Sequence, residues 1–352
     1  MPSACTVFAK DKLRPGKISK MIGKTSMPTQ QIYSQGLSKT PLVSFIIPVY
    51  NLPVDMVSEC LDSILMLSLD DTEREIILVD DGSSTSLCSD LKDYWNQIIY
   101  IRQRNQGLSE ARNAGMRMAQ GRYIQFVDGD DALIPFMYEH CLDIVRYHGA
   151  DMVVFDHVRT KQPETPTCHV QGPMTGSEYM SNANLRASVW RMLFQQKILH
   201  GLQFTPNLAN EDEAFTPLLV LHAEQLYVTD AKAYYYRRRE QSITNTRNKK
   251  NKVKRLNDLL TIITQFQTQL DSFPPMEQSA MQRRIAQLSM DYIYNTALHT
   301  HSMKHLQKAI EQLKERGVYP LPDKNYTHKY LWFRRLIQTS MGRWMLLLVT
   351  WR

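Results

Sequence analysis

Over residues 42–155, short apolar runs alternate with amphipathic, helix-like stretches, and this alternation constrains the fold more than any other feature of the chain. Val43–Val49 is short and largely apolar, as expected of a strand covered on both faces. Pro53 opens a helical stretch with Val57, Leu61, Ile64 and Leu65 on one side. Residues 75–79 read as the next strand and end in Asp80-Asp81-Gly82-Ser83. A polar helix is expected after them, then a strand over 98–101. Ser109 is placed to cap a helix through Ala111, Ala114 and Met118, stopped by Gly121. Residues 123–127 read as a fourth strand ending in Asp128-Gly129-Asp130-Asp131. Pro135 starts a helix closed by Gly149, and 152–155 read as a fifth strand. Such alternation predicts a three-layer α/β sheet, mostly parallel. Ligands bind such sheets beyond the carboxyl ends of the strands, and both acidic clusters fall there.

The chemistry of those clusters is specific. Asp128 and Asp130 stand one residue apart on a turn and can reach one hard cation from the same side. Magnesium and manganese take oxygen ligands and accept one or two carboxylates beside substrate phosphates. The bland alternative is an acidic turn that caps the next helix. A calcium loop does not fit, because the residues after Asp131 lack its glycine and spaced oxygens. Asp80 and Asp81 can accept hydrogen bonds from a base or a ribose, or can equally form a turn and a cap. In Ala111-Arg112-Asn113-Ala114-Gly115 the small residues allow close backbone approach. Arg112 there offers a planar fork for a phosphate or for one of the acidic turns.

After Arg159 the alternation stops, and residues to about 246 mix short elements with loops. Residues 248–316 read as helical, broken into two helices at Pro274-Pro275. The expected organisation is a basic, disordered leader over 1–41, halves of one α/β domain over 42–160 and 161–246, a helical extension over 247–318, and a basic, aromatic tail over 319–352. No run reaches the roughly 18 apolar residues of a spanning helix. The cysteines, five in number, form no CxxC pair, which suits reduced thiols in a cytosol. The net charge of +7 favours phosphate-bearing partners without choosing among them. In the tail, arginines and tryptophans flank apolar runs too short to span. The segment is expected either to lie peripherally on an anionic membrane surface or to pack on the domain.

Read together, Phe45-Ile46-Ile47-Pro48-Val49-Tyr50-Asn51, Asp80-Asp81-Gly82-Ser83, Gly107-Leu108-Ser109 with Ala111-Arg112-Asn113 and Gly115, and Phe126-Val127-Asp128-Gly129-Asp130-Asp131 resemble the catalytic domain of family 2 glycosyltransferases. The resemblance covers about residues 42–246. It implies the GT-A fold and an inverting, metal-assisted transfer of a sugar from a nucleotide diphosphate donor, UDP-linked by expectation, to a hydroxyl of a glycan or lipid-linked acceptor. It also implies roles. Pro48, Tyr50, Asp80 and Asp81 resemble the nucleotide pocket, Asp128 the ribose-side carboxylate, and Asp130 the direct ligand of Mn²⁺ or Mg²⁺, with Asp128 beside it. Asp131 is expected only to cap a helix.

Downstream, Asn210-Glu211-Asp212-Glu213 resembles the family's acceptor-site pair, with Asp212 as general base and Glu211 as a substitute. The bland alternative is an acidic helix start, which the helix dipole favours. The run Tyr234-Tyr235-Tyr236-Arg237-Arg238-Arg239, followed by Ser242, resembles a segment beside the donor diphosphate, where Arg237, Arg239 and Ser242 would close over the leaving group. No recognition motif accompanies these arginines, so nucleic acid is not an expected partner. Two rival activities share parts of this pattern. A nucleotidyltransferase that makes the sugar donor would carry a glycine-rich basic loop where Asn51-Leu52-Pro53 stands. A non-catalytic scaffold in glycan assembly would have no need of Asp128, Asp130 and Asp212.

Overall fold

The Val43–Val49 run becomes the central strand of a ten-stranded sheet, buried along its whole length. The computed structural model describes residues 6–8, 40–160, 167–238 and 249–351. In chain order the first half holds β1 (Thr6–Phe8), β2 (Val43–Val49), α1 (Val54–Leu65), β3 (Arg74–Asp80), β4 (Ile98–Arg102), α2 (Leu108–Met118), β5 (Tyr123–Phe126), β6 (Ala132–Leu133) and α3 (Pro135–Tyr147). There follow β7 (Met152–Val158), β8 (Val170–Met174), α4 (Gly176–Asn182), β9 (Met192–Gln195), α5 (Glu211–Leu221) and β10 (Leu226–Tyr235). The remainder is helical: α6 (Lys249–Gln269), α7 (Pro275–Thr300), α8 (Met303–Glu315), α9 (His328–Gln338) and α10 (Ser340–Thr350).

The strand order is β1-β4-β3-β2-β5-β9-β7-β10-β6, with β8 also on β10. Strands β4, β3, β2 and β5 run parallel, as the alternation predicts. Beyond β5 the expectation of a mostly parallel sheet gives way: β9 pairs antiparallel with both β5 and β7, and only β7 and β10 are parallel. The sheet is mixed because the regular crossover helices end with the alternation, near Arg159. The chain leaves β2 for β3 on one side and returns to β5 on the other. The carboxyl ends of β2 and β5 therefore border the crevice where the strand order reverses, the usual ligand position in open sheets.

Alternate residues of β2 face two cores. Phe45 and Ile47 pack under α1 and α3 with Leu61 and Tyr138, while Ile46 joins Phe126, Phe204 and Phe215 on the other face. Each such side chain, fully withdrawn from water, contributes roughly 1.5–3 kcal/mol. Asn113 on α2 ties this second core together: its amide bonds both the N–H and the C=O of Phe204, at 2.9 Å each.

Three local expectations are corrected. The polar helix expected after β3 is reduced to two 3₁₀ turns, 87–89 and 92–94. Ser86 there bonds the Cys88 N–H and caps the first of these turns. Ser109 lies inside α2, which starts after Gly107. The extension holds three helices rather than two, because the chain turns again at His301, in left-handed conformation, between α7 and α8. Of the leader expected to be disordered, Thr6–Phe8 adds an edge strand against β4, and the rest of it, up to residue 39, lies outside the described residues.

Candidate active site

The expected site residues gather at the carboxyl ends of β2, β3 and β5, with α5 approaching from the other half. Pro48 is buried in β2, and Tyr50 just beyond it stands 49% exposed at the rim of the crevice. Asp80 and Asp81 are both buried. Asp80 accepts from the Ser83 N–H at 2.8 Å and from the Tyr100 hydroxyl at 2.7 Å. Asp81 accepts from Gln103 Nε2 at 2.7 Å and from the N–H groups of Gln106 and Gly107 at 2.9 and 2.8 Å. Asp81 thus fixes the loop that leads into α2. A contact of either carboxylate with a base would be additional to these bonds. Gly82, at φ +75°, closes the turn; a Cβ there would lie 2.6 Å from the Asn105 nitrogen.

The Asp128–Asp131 turn is held from below. A Cβ on Gly129 would lie 2.5 Å from Val49 and 3.1 Å from the Pro48 carbonyl, so only glycine lets this turn rest on the end of β2. The Tyr234 hydroxyl accepts from the Asp128 N–H at 3.1 Å and donates to Asp131 at 2.9 Å. The other Asp131 oxygen accepts from the Arg237 N–H at 2.7 Å. Contrary to expectation, Asp131 does not cap α3; it fastens the turn to the end of β10. Burial, with Asp128 close by, pushes its carboxyl up to about 8. Arg237 donates from Nε to the Asp130 carbonyl at 2.8 Å and pairs with Glu59 of α1. It therefore braces the turn itself. Arg239 and Ser242 lie outside the described residues.

Arg112 joins the two halves. Its guanidinium is 1% exposed. It donates to Asp128 at 3.1 Å, to Glu211 at 3.0 Å and to Asp212 at 2.8 Å. Burial opposes its charge, but Asp212, Asp128 and Glu211 together hold its pKa above the ordinary value. The same burial raises Asp212 to about 7, against the pull of Arg112. The second Asp212 oxygen accepts from the Val189 N–H at 3.3 Å. Next to Val189, the Trp190 ring stacks on Tyr234 at 4.4 Å and on Tyr236 at 5.6 Å. Glu213, on the other face of the same turn of α5, pairs with the buried Arg284 of α7. There a cavity of about 210 Å³ opens among α5, α6 and α7, with Asn210, Lys252, Asp291 and His299 on its walls.

The sequence reading missed Tyr100, Glu59, Trp190 and Arg284, and gave Tyr234 no role of its own. Tyr234 had no usable signal: period-two alternation along 231–235 sets it opposite Ala231 and Ala233, and it is buried with them where the pairing register shifts between Lys232 and Tyr234. The others carry none that is local.

Residues 44–204 match the family model described as Glycosyl transferase family 2. The chain carries a family 2 glycosyltransferase domain. Among curated relatives, the uncharacterized glycosyltransferase EpsJ of Bacillus subtilis (strain 168) is 31% identical over 222 residues, covering 58% of this chain and 63% of its own. Glycosyltransferase GlyA of Streptococcus pneumoniae is 27% identical over 57% of this chain and 31% of its own. The chain thus spans less than two thirds of the length of these relatives. The fold is that of the crystal structure of Staphylococcus aureus TarS 1–349 in complex with UDP-GlcNAc, at a TM-score of 0.64 and 17% identity over 88% of this chain and 90% of that one. This is the GT-A fold, followed here by C-terminal helices.

The family 2 domain offers a donor set suited to a divalent cation. Asp128 and Asp130 are carboxylates only partly covered, and Arg112 occupies one Asp128 oxygen, leaving the other. Among the described residues no group of three or more His, Cys, Asp and Glu stands ready as a complete cage. Two hard oxygens with an open remainder fit Mn²⁺ or Mg²⁺ that takes its other ligands from a diphosphate and water.

Proposed function

We propose that the chain is an inverting glycosyltransferase that moves a sugar from a nucleotide diphosphate donor, UDP-linked, to a hydroxyl of a glycan or lipid-linked acceptor. The observation that carries this reading is the buried Arg112 shared by the donor-side Asp128 and the acceptor-side Asp212. It brings the two reacting partners' carboxylates to one point. The UDP-GlcNAc bound by TarS supports the choice of donor.

In this reading residues 42–160 bind the donor and residues 161–246 face the acceptor. Pro48, Tyr50, Asp80 and Asp81 line the nucleotide end. Asp130, with Asp128, would hold a divalent cation, which when bound neutralises charge on the diphosphate and improves it as a leaving group. The mannosyltransferase PcManGT from Pyrobaculum calidifontis, solved with GDP-Man and Mn²⁺ at a TM-score of 0.51 and 12% identity, shares the fold. Arg237, Arg239 and Ser242 would lie along the leaving group. Asp212 takes the proton of the acceptor hydroxyl as that oxygen attacks the anomeric carbon from the opposite face, so one displacement inverts the configuration. A carboxylate raised to about 7 is a stronger base than an exposed one and is still ionised in half the molecules at neutral pH. Attachment to the cytosolic face of a membrane would set this site beside a lipid-linked acceptor.

The test is a screen of nucleotide sugars for slow hydrolysis by the purified chain with manganese present. The expected result is hydrolysis of one UDP-sugar and, in the transferred product, an anomeric NMR coupling constant that shows the configuration opposite to the donor's. Absence of hydrolysis with every donor overturns the reading in favour of a scaffold. Formation of a nucleotide sugar from a nucleoside triphosphate and a sugar phosphate overturns it in favour of a nucleotidyltransferase.

A further inference from the structure

The tail packs on the domain along one side and leaves its other side open. Helices α9 and α10 fold against one another and against α7. Tyr330, Phe333, Ile337, Leu346 and Leu347 are buried there. The elbow between them is tight. A Cβ on Gly342 would lie 1.8 Å from the Leu336 carbonyl oxygen, and Thr339 caps α10 through the Gly342 N–H at 3.0 Å. Tyr330 donates its hydroxyl to the Pro322 carbonyl at 2.8 Å. The pair is therefore a folded unit, anchored from one side.

The other side is apolar and uncovered. Trp332, Met341, Trp344, Leu348, Val349 and Trp351 each stand more than half exposed. On α10 the exposed positions 341, 344 and 348 follow helical spacing, opposite the buried Gly342, Leu346, Leu347 and Thr350. A helix apolar on both faces normally has something on both. The charges point to what that is. Residues 324–352 contain six Lys and Arg and no Asp or Glu. Lys329 and Arg335, both exposed, lie three residues either side of Trp332 on the same face of α9. A second copy of the chain is disfavoured here, because a two-fold interface would set these cations against themselves. Crossing a bilayer is excluded for these helices, at 11 residues each, since a span takes about 20.

We propose that the outer face of α9 and α10 docks the folded protein peripherally on an anionic lipid bilayer. The tryptophans sit at headgroup depth and the cations on lipid phosphate. The proposal stands on the tail alone and is independent of the transfer chemistry.

The experiment is flotation of the full chain with phosphatidylcholine vesicles, with and without phosphatidylglycerol. Wild type is expected to float with the anionic vesicles at low salt, to bind less at high salt, and to ignore the neutral ones. A variant with Trp332→Ser, Trp344→Ser and Leu348→Ser is expected to lose at least tenfold in binding at unchanged thermal midpoint and unchanged donor hydrolysis. Should that triple variant not fold, the surface pair Lys329→Gln and Arg335→Gln must still lose most of the preference for phosphatidylglycerol. Wild type that stays at the bottom, or variants that float as well as it does, overturns the proposal. So does sedimentation showing that the triple change only turns a dimer into a monomer.

Discussion

The two acidic turns of the crevice carry similar charges and are held in opposite ways. The Asp128–Asp131 turn rests on backbone: Gly129 lies on the end of β2, and Tyr234 and Arg237 of the β10 end bond its amide, its carbonyl and Asp131. The Glu211–Glu213 turn hangs instead by its carboxylates, which meet Arg112 of α2, Arg284 of α7 and the Val189 amide. A turn fixed by strand ends keeps its shape when one side chain is lost. A turn fixed by ion pairs depends on each of them. The difference suits the proposed roles, since a donor site needs constant geometry while an acceptor site admits different hydroxyls.

The largest expected effect comes from removing what the turns share. Arg112→Met leaves Asp128, Glu211 and Asp212 without their common cation. It should lower unfolding free energy by about 3 kcal/mol or more in denaturant titration and abolish transfer. A stable, active variant would mean that the two turns are independent.

Next come substitutions that separate the turns. Asp130→Asn and Asp212→Asn should each slow transfer by about a thousandfold. Donor affinity, measured by calorimetry with manganese present, should fall for Asp130→Asn and stay nearly constant for Asp212→Asn. If both variants lose donor affinity alike, the division into donor and acceptor turns is wrong.

A smaller effect belongs to pH. Burial raises Asp212 to about 7, and the base acts ionised. The rate should therefore climb about tenfold per pH unit below that value and level off above it. The stability effect has the other sign. Between the ordinary value of 3.8 and about 7, the native chain binds the proton that the unfolded chain has released, so this group's contribution falls as pH rises through that window. A rate profile that is flat from pH 5 to 8 would remove Asp212 from the role of base.

The smallest expected effect tests the firmness of the donor turn. Tyr234→Phe removes two hydrogen bonds, those with Asp131 and the Asp128 amide. It should cost about 1–2 kcal/mol of stability, while donor affinity changes less than it does in Asp130→Asn. Equal losses of affinity would show that strand-end support alone does not fix that turn.

What the sequence made legible was local. The buried strands announced themselves as apolar runs, and the aspartates that end β3 and β5 could be placed because a strand end is a local event. The helix expected over the stretch before β4 gave way to two short turns, the first capped by Ser86. The start of α2 was misplaced by two residues because the loop ahead of it is fixed by Asp81, 26 residues upstream of Gly107. Asp131 looked like a cap because its partner, Tyr234, lies 103 residues away. Trp190, Arg284 and the mixed half of the sheet escaped for the same reason: each depends on which distant segments meet, and no short-range pattern records that.

The reach of Arg112 also bears on how the molecule comes into being. Its carboxylate on the donor side lies 16 residues from it, but the one on the acceptor side lies 100 residues from it. At roughly 5–20 residues per second, a ribosome takes several seconds to cover that interval. During it, β2 to β5 can already pair, with a cation facing a gap. The proposed site is therefore completed late in synthesis, after α5 and then Tyr234 and Arg237 at the end of β10 have arrived. Two separately expressed pieces divided between α3 and α5 should regain that site only on mixing.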